Sequence, residues 1–219
     1  VPRFMYGNAI HHAILVYYQH RLRGLPIRPE DVVHVFQQSW SSEGFISREH
    51  EERRIEQGRA TLRRFVARED ASSIRPLQAE QNFEFRQGLN VISGRWDRID
   101  ERNRGIVIVD FKTSDVEEDG DANLRTTESL RKGQLGVYAL AYRETRGVTP
   151  AEAELHYVGT GTIGRARVAD EHLTAAAERI ASAAAGIRAA DFKPRPEYTA
   201  CRDCPYSTFC PHSATRSNR

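Results

Sequence analysis

Apolar positions in the first third of the chain recur at helical spacing. Within residues 4–24 they fall three and four positions apart, which predicts an amphipathic helix that ends at a Gly-Leu-Pro sequence. A second helix is predicted over 29–40, because proline and two acidic residues stand in its first turn. A third is predicted over 47–68, with a highly charged surface. Residues 1–70 are therefore expected to form a helical segment.

The pattern then changes to that of β-strands. Residues 77–87, 89–99 and 105–112 are strand-like. The run Ile-Val-Ile-Val at 106–109 is apolar at every position, which is typical of a strand that is covered on both faces. We therefore expect 105–112 to be a central strand.

The second half of the chain mixes helices and strands. The acidic, glycine-containing segment 114–126 is predicted to be a loop and 127–145 a helix. Strands are predicted at 152–159 and 163–168, joined by a hairpin turn, and a helix at 170–188. This order favours an α/β fold with a mixed central sheet flanked by helices. We expect one domain over 1–219, with helices in 1–70, the core in 77–192 and a tail in 193–219.

Composition bounds the class of protein. The 219 residues are 39% hydrophobic and 28% charged, which is typical of a soluble globular chain rather than a disordered one. No apolar run approaches the roughly 20 residues that span a bilayer, and no secretory signal is visible. We therefore expect a cytoplasmic protein with no membrane partner. The net charge of +2 neither indicates nor excludes a nucleic-acid partner.

Two aspartates are expected to face each other on neighbouring strands. If Asn103 and Arg104 form the centre of a tight turn, paired residues have numbers that sum to 207, and Asp97 lies opposite Asp110. Directly opposed Cβ atoms are about 5 Å apart, so the two carboxylates repel unless a cation lies between them. A divalent cation such as Mg²⁺ or Mn²⁺ meets this need. With Lys112 on the same face, the set indicates metal-assisted phosphodiester hydrolysis. The alternative is a structural ion pair between Asp110 and Lys112.

All three cysteines lie within ten residues near the end of the sequence. An odd, clustered set is a poor disulfide framework, and Cys201, Cys204 and Cys210 are better placed to bind zinc or an iron–sulfur cluster. The alternatives of zinc and of free thiols in a surface tail stay open.

The stretch GRWDRID, followed by IVIVDFKTS, resembles the core of the PD-(D/E)XK nuclease superfamily in its RecB-like branch. The resemblance implies a restriction-endonuclease-like fold. It also implies that Asp97 and Asp110 are metal ligands and that Lys112 is the catalytic lysine. No nucleotide-binding motif is present in the sequence.

Two helical motifs extend this resemblance. The spacing Gly-x-x-x-His at Gly7 and His11 implies that His11 is a further metal ligand; the alternative is a histidine on the helix surface. The spacing Gln-x-x-x-Tyr implies that Gln134 acts near the catalytic lysine and that Tyr138 contacts DNA. The alternative places Tyr138 in the core. Two nearby cations are candidates for DNA contacts: Arg131 and Lys132.

The cysteine spacing resembles the C-terminal motif of iron–sulfur nucleases such as AddB and the AdnAB helicase–nucleases. It implies a 4Fe–4S cluster whose fourth cysteine precedes the histidine helix, upstream of the first residue of this sequence. His212 is a less favoured substitute.

The resemblance implies a DNA exonuclease for double-strand break repair or recombination. It acts on single strands or duplex ends, as the C-terminal part of a UvrD-like helicase–nuclease. The absence of an initial Met fits such a fragment. One alternative is a DNA-binding or scaffold module that does not cleave. A zinc protein without a nucleic-acid role is the other.

Overall fold

The computed structural model describes residues 2–45, 47–202 and 204–216. Helices and strands within these ranges follow in the order α1 (Pro2–Leu22), α2 (Pro29–Gln38), α3 (Arg48–Ala71), β1 (Pro76–Gln87), β2 (Asn90–Arg102), β3 (Gly105–Lys112), α4 (Asp119–Lys132), α5 (Gln134–Arg146), β4 (Glu152–Tyr157), β5 (Ile163–Arg167), α6 (Asp170–Arg188) and α7 (Tyr198–Arg202). Across these described ranges, every helix is too short or too polar to cross a bilayer.

The five strands form one mixed sheet in the order β1-β2-β3-β4-β5. β3 and β4 are parallel, because α4 and α5 carry the chain back between them, and the other neighbouring pairs are antiparallel. The α/β fold with a mixed central sheet is confirmed. β3 lies in the middle, as its continuous apolar run predicts.

Helices cover both faces of this sheet. Val107, Val109 and Phe111 of β3 belong to an apolar cluster with α1, α2 and α3. Ile108, between them, belongs to a second cluster with α4, α5 and α6. Since side chains alternate along a strand, Asp110 follows the period of Ile108. β3 is thus buried on both faces as far as Asp110.

The prediction of a loop over 114–126 is wrong from Asp119 onward. α4 begins at Asp119, and Ala122, Thr126 and Leu130 form its buried face at a spacing of four. Two of the acidic residues that indicated a loop, Asp119 and Asp121, lie in the first helical turn, where negative charge favours a helix. The helix expected at 127–145 is in fact two helices that meet at Gly133.

Candidate active site

The β2–β3 pairing follows the expected register. Arg98 pairs with Val109 and Ile99 with Ile108, so that paired numbers sum to 207 around a two-residue turn. The residue before Arg98 is Asp97, and its side chain serves as the hydrogen-bond acceptor for the neighbouring strand. Its Oδ2 atom accepts a hydrogen bond from the N–H of Phe111 at 2.8 Å. This bond fixes the Asp97 carboxylate beside Asp110.

Asp110 is a buried carboxylate beside a lysine. Its side chain is only 3% exposed, and its Oδ2 atom lies 2.6 Å from Lys112 Nζ. The two groups form an ion pair, and this buried oxygen has no further hydrogen-bond partner among the described residues. Burial, together with the charge of Asp97, raises the pKa of Asp110 to about 6 against the opposing effect of Lys112. An uncompensated negative charge is therefore costly at this position.

α1 presents two adjacent histidines to different surroundings. His11 Nδ1 lies 3.7 Å from Asp97 Oδ2. His12 Nδ1 instead makes a 2.6 Å hydrogen bond with the hydroxyl of Ser39 on the side of α2. Helical geometry turns neighbouring residues about 100° apart, so that only one of the two faces the strands. The structure brings His11, rather than His12, to the carboxylates.

Glu80 is a site residue that the sequence reasoning missed. Its side chain is 4% exposed, and its backbone φ of +50° lies in the left-handed region. The β1–β2 pairs Ala79–Arg98 and Gln81–Trp96 flank it, which places Glu80 beside Asp97. In the β1–β2 hairpin the numbers of these paired residues sum to 177. The same arithmetic that placed Asp110 opposite Asp97 therefore identifies Glu80 as the neighbour of Asp97 on the other side.

The Glu80 carboxylate has a raised pKa, as Asp110 does. Burial, together with the charge of Asp97, raises the pKa of Glu80 to about 7. Arg95 acts against this shift, with its Nε atom 2.7 Å from Glu80 Oε2. The same oxygen is buried without a hydrogen-bond partner in the described part of the chain. A backbone held at positive φ in a non-glycine residue is strained, which is a common feature of functional sites.

These side chains form a suitable donor set for a divalent cation. Ligand atoms of His11, Glu80 and Asp97 all lie within 4.8 Å of one another, and they are the one such group among the described residues. One imidazole nitrogen and several carboxylate oxygens suit Mn²⁺ and, with fewer protein ligands, Mg²⁺. The observation that supports a cation here is the imbalance of charge: Glu80, Asp97 and Asp110 bring three carboxylates together, and the ion pairs with Arg95 and Lys112 supply only two positive charges.

Gln134 links Lys112 to Tyr138. Lys112 Nζ donates a hydrogen bond to Gln134 Oε1 at 3.1 Å, and Gln134 Nε2 donates to the Tyr138 hydroxyl at 2.5 Å. Residues four apart share one face of α5, which is why both lie near the same lysine. Tyr138 is buried in the core cluster that includes Trp96, and burial raises its pKa, as do Asp110 and Asp97. A role of Tyr138 in contacting DNA stays a prediction.

The remaining expected site residues lie at the edges of this arrangement. Arg131 and Lys132 are exposed in the last turn of α4, shortly before Gln134. The three cysteines are free thiols of intermediate exposure, and the described residues do not bring them together in a three-ligand group. The structure thus gathers His11, Asp97, Asp110, Lys112 and Gln134, and leaves the cysteine motif apart from that group.

A family model described as the PD-(D/E)XK nuclease superfamily matches residues 1–211 of this chain. Among solved structures, a protein from Eubacterium rectale that is provisionally assigned as an exonuclease is similar over 100% of this chain and 76% of its own, at a TM-score of 0.51 and 12% identity. The crystal structure of SSO0001 is similar over 94% and 86%, at a TM-score of 0.45 and 17% identity. At such identities the structural likeness concerns the fold alone. In a comparison with curated proteins, no sequence matches this chain.

Proposed function

Because this chain belongs to the PD-(D/E)XK nuclease superfamily, we propose that it is a divalent-metal-dependent DNA exonuclease. The observation that supports this most strongly is the meeting of Asp97, Asp110 and Lys112 at one end of β2 and β3. A structural ion pair would be enough to explain a buried aspartate beside a lysine. The second buried carboxylate, Asp97, does not fit that simpler explanation, because it adds a negative charge that the single lysine does not balance. His11 beside it adds a neutral nitrogen that can bind a cation.

In this proposal His11, Asp97, Asp110 and Glu80 hold the cation. A bound Mg²⁺ or Mn²⁺ supplies electrophilic stabilisation of the phosphate oxygens and a more acidic water molecule. Asp97 is oriented for this task by the Phe111 N–H. Asp110 is held beside Lys112, so that a carboxylate and an ammonium group face the same substrate phosphate.

Lys112 contributes a positive charge where the attack on phosphorus builds up negative charge. Its side chain is 35% exposed, so that it remains accessible to a substrate while Asp110 and Gln134 hold its ammonium group from two sides. A preorganised cation of this kind is worth more in a partly dry site than in water. Lys112 therefore stabilises the transition state and orients the scissile phosphate.

The decisive experiment measures release of nucleotides from end-labelled DNA with Mg²⁺ or Mn²⁺. We expect the natural chain to cleave, and Asp110→Asn and Lys112→Ala to reduce activity by a factor of at least about 100 without loss of folding. The matched controls Asp191→Asn and Lys193→Ala change the same residue types at exposed positions after α6 and keep full activity. Retained cleavage in Asp110→Asn would contradict the proposal. Binding of DNA without cleavage would favour the alternative of a non-cleaving DNA-binding module.

Exonuclease specificity requires its own comparison. An exonuclease needs a free end, so we expect linear single-stranded or duplex DNA to be degraded while closed circular DNA of the same sequence persists. Equal degradation of circles would make the enzyme an endonuclease. The metal site would be unaffected by that outcome.

We also propose a role in double-strand break repair or recombination, in the cytoplasm and together with a helicase motor. This rests on the resemblance of the motif order to RecB-like helicase–nucleases. Purification of the protein from its own cells, followed by identification of any ATP-dependent DNA helicase in the same polypeptide or complex, tests it. Recovery of the nuclease without such a motor would contradict it.

The cysteine tail is proposed to bind a 4Fe–4S cluster, with zinc as the alternative. The spacing of Cys201, Cys204 and Cys210 supports a shared ion or cluster, and their intermediate exposure leaves the thiols accessible. Three cysteines are one fewer than such a cluster needs, so the proposal requires a fourth ligand, either upstream of this sequence or His212. Iron and sulfide analysis of the full-length protein after anaerobic purification distinguishes cluster from zinc. A colourless, iron-free product would contradict the cluster.

A further inference from the structure

A cleft extends the candidate active site past the end of β3. It has a volume of about 460 Å³. The residues that line it come from four separate parts of the chain: Tyr6, Arg54, Thr113, Ser114, Asp115 and Arg125. Thr113 directly follows Lys112 in the chain, so one wall of the cleft is formed by the residue next to the lysine. It is therefore adjacent to the site and lies outside the group of metal-binding side chains.

α1 connects the two regions. Gly7 lies one helical turn before His11, and a Cβ atom at Gly7 would lie 3.6 Å from Thr113 Oγ1. The backbone of α1 thus passes close to the end of β3 on its way from the cleft to the metal-binding histidine. A polynucleotide strand that occupies the active site can continue along this path into the cleft.

The cleft contains two guanidinium groups from different elements. Arg54 of α3 lies over the Tyr6 ring at 5.2 Å and donates a hydrogen bond to Gln57 at 2.8 Å, both of which are neutral partners in the described part of the chain. Arg125 of α4 pairs with Asp121 at 3.0 Å, and both side chains are about half exposed. An exposed pair of this type is weak, so that Arg125 can exchange its partner for a phosphate.

The remaining lining groups suit a phosphate as well. Thr113 and Ser114 present hydroxyl groups, and side-chain hydroxyls together with arginines are the usual donors to the nucleic-acid backbone. Arginine offers a planar fork that matches phosphate oxygens. Asp115 is the one carboxylate among the lining residues, and it is exposed. Asp121, which is not among the lining residues, pairs with Arg125, so the cleft offers a phosphate the charge of Arg54 together with that of Arg125 once this exposed ion pair opens.

We propose that this cleft binds a backbone phosphate of a nucleotide that neighbours the scissile phosphodiester, through Arg54 and Arg125. The proposal rests on the proposed nuclease function, since it assigns the path of the DNA strand beyond the metal site. The contact is to the backbone, so it positions the strand and does not depend on base sequence. It accounts for why two arginines from α3 and α4 flank the residue that follows the catalytic lysine.

The test uses Arg54→Gln, Arg125→Gln and the double variant. The matched control is Arg104→Gln, an exposed arginine in the turn at the opposite end of β3. Binding of a fluorescein-labelled single strand of about 20 nucleotides is measured by anisotropy at several salt concentrations, with a chelator present to prevent cleavage. We expect the double variant to bind roughly tenfold more weakly, with a salt slope flatter by about 0.7 for each phosphate that it no longer neutralises.

Steady-state kinetics with Mg²⁺ provide the second readout. We expect KM for the oligonucleotide to rise in the arginine variants while kcat at saturation stays unchanged, because the chemical groups are untouched. Affinity and salt slope equal to those of Arg104→Gln would overturn the inference. Arg54 and Arg125 lie on different helices and are also replaced singly. A disturbance of one helix would therefore affect only one of the two single variants. If the natural chain cleaves no DNA, the proposed function fails, and the binding experiment still reports on the cleft.

Discussion

Gln134, the first residue of α5, accepts a hydrogen bond from Lys112 across 3.1 Å and donates one to Tyr138 on the following helical turn. Lys112 is therefore held by a helix as well as by its own strand. In the proposed reaction Gln134 would act through Lys112, as a positioning residue.

Replacement of Gln134 by Leu should lower kcat by a factor of roughly 10 to 100, because a misplaced catalytic group loses much of its effect. KM for DNA should change little, since the lysine keeps its charge. The measurement is the separate determination of kcat and KM on single-stranded DNA. Tyr138→Phe, which removes only the hydroxyl that Gln134 contacts, should lower kcat by a factor of about 2 to 10. A rise in KM with unchanged kcat would show that Gln134 binds substrate instead.

Glu80 should take part in metal binding. We expect Glu80→Gln to weaken Mn²⁺ affinity at least about tenfold, because the change removes a negative oxygen from a donor set that otherwise contains His11 and Asp97. Isothermal titration calorimetry with Mn²⁺ measures this directly. Glu84→Gln is the matched control, since Glu84 is an exposed glutamate of the same strand. Equal affinities in the two variants would remove Glu80 from the metal site.

In the metal-free protein, the contribution of Asp110 to stability should fall as pH rises. Asp110 has a pKa of about 6 in the folded state against an ordinary value of 3.8, so between these pH values the folded state holds a proton that the unfolded state has released. This contribution therefore falls with rising pH through that window, and Glu80, with a pKa of about 7, makes a contribution that falls over a higher range of pH.

Asp110→Asn should consequently stabilise the metal-free protein at high pH, about 8, by an amount on the order of 2 kcal/mol, and have little effect near pH ~4. Urea unfolding at both pH values in the presence of a chelator measures the free energy of unfolding. Added Mg²⁺ should reverse the order at the higher pH, because the natural chain gains binding energy that the variant lacks. A gain of equal size at both pH values would show that ionisation of Asp110 is not its cause.

A close approach between α4 and β5 depends on a glycine. A Cβ atom at Gly164 would overlap the carbonyl oxygen of Ala122 and the hydroxyl of Thr126. We expect Gly164→Ala to lower the free energy of unfolding by about 1 to 3 kcal/mol, since backbone atoms must shift. Gly120→Ala is the control: nothing lies within 4 Å of its Cβ position, in an exposed first turn of α4. Comparable urea midpoints for the two variants would contradict the close contact.

The sequence determined the class of fold and the strand that carries the chemistry. Its continuous apolar run placed 105–112 in the middle of a mixed sheet, because only a strand covered on both faces can bury every position. The period of two along strands and the short turn at Asn103 and Arg104 then fixed the pairing register. Those local rules gave the pairing as far as Arg98 and Val109, one position before Asp97 and Asp110.

The long acidic segment after β3 could not be interpreted in the same way. Acidic residues favour both exposed loops and the first turn of a helix, so composition at 114–126 did not distinguish the two. Packing of Ala122, Thr126 and Leu130 against the sheet decided in favour of a helix. Gly133 divides that region into two helices, and the division places Gln134 at the start of α5 beside Lys112.

What only the tertiary structure decided is how distant segments meet. It distinguished His11 from His12 by which of them faces Asp97, and it added Glu80 from the edge strand. It also joined Arg54 of α3 and Arg125 of α4 in one cleft. Spacing in sequence determines which residues share a face of one helix or strand, because each element has a fixed period. The approach of separate elements depends on how their apolar faces pack, and that is not contained in any local pattern.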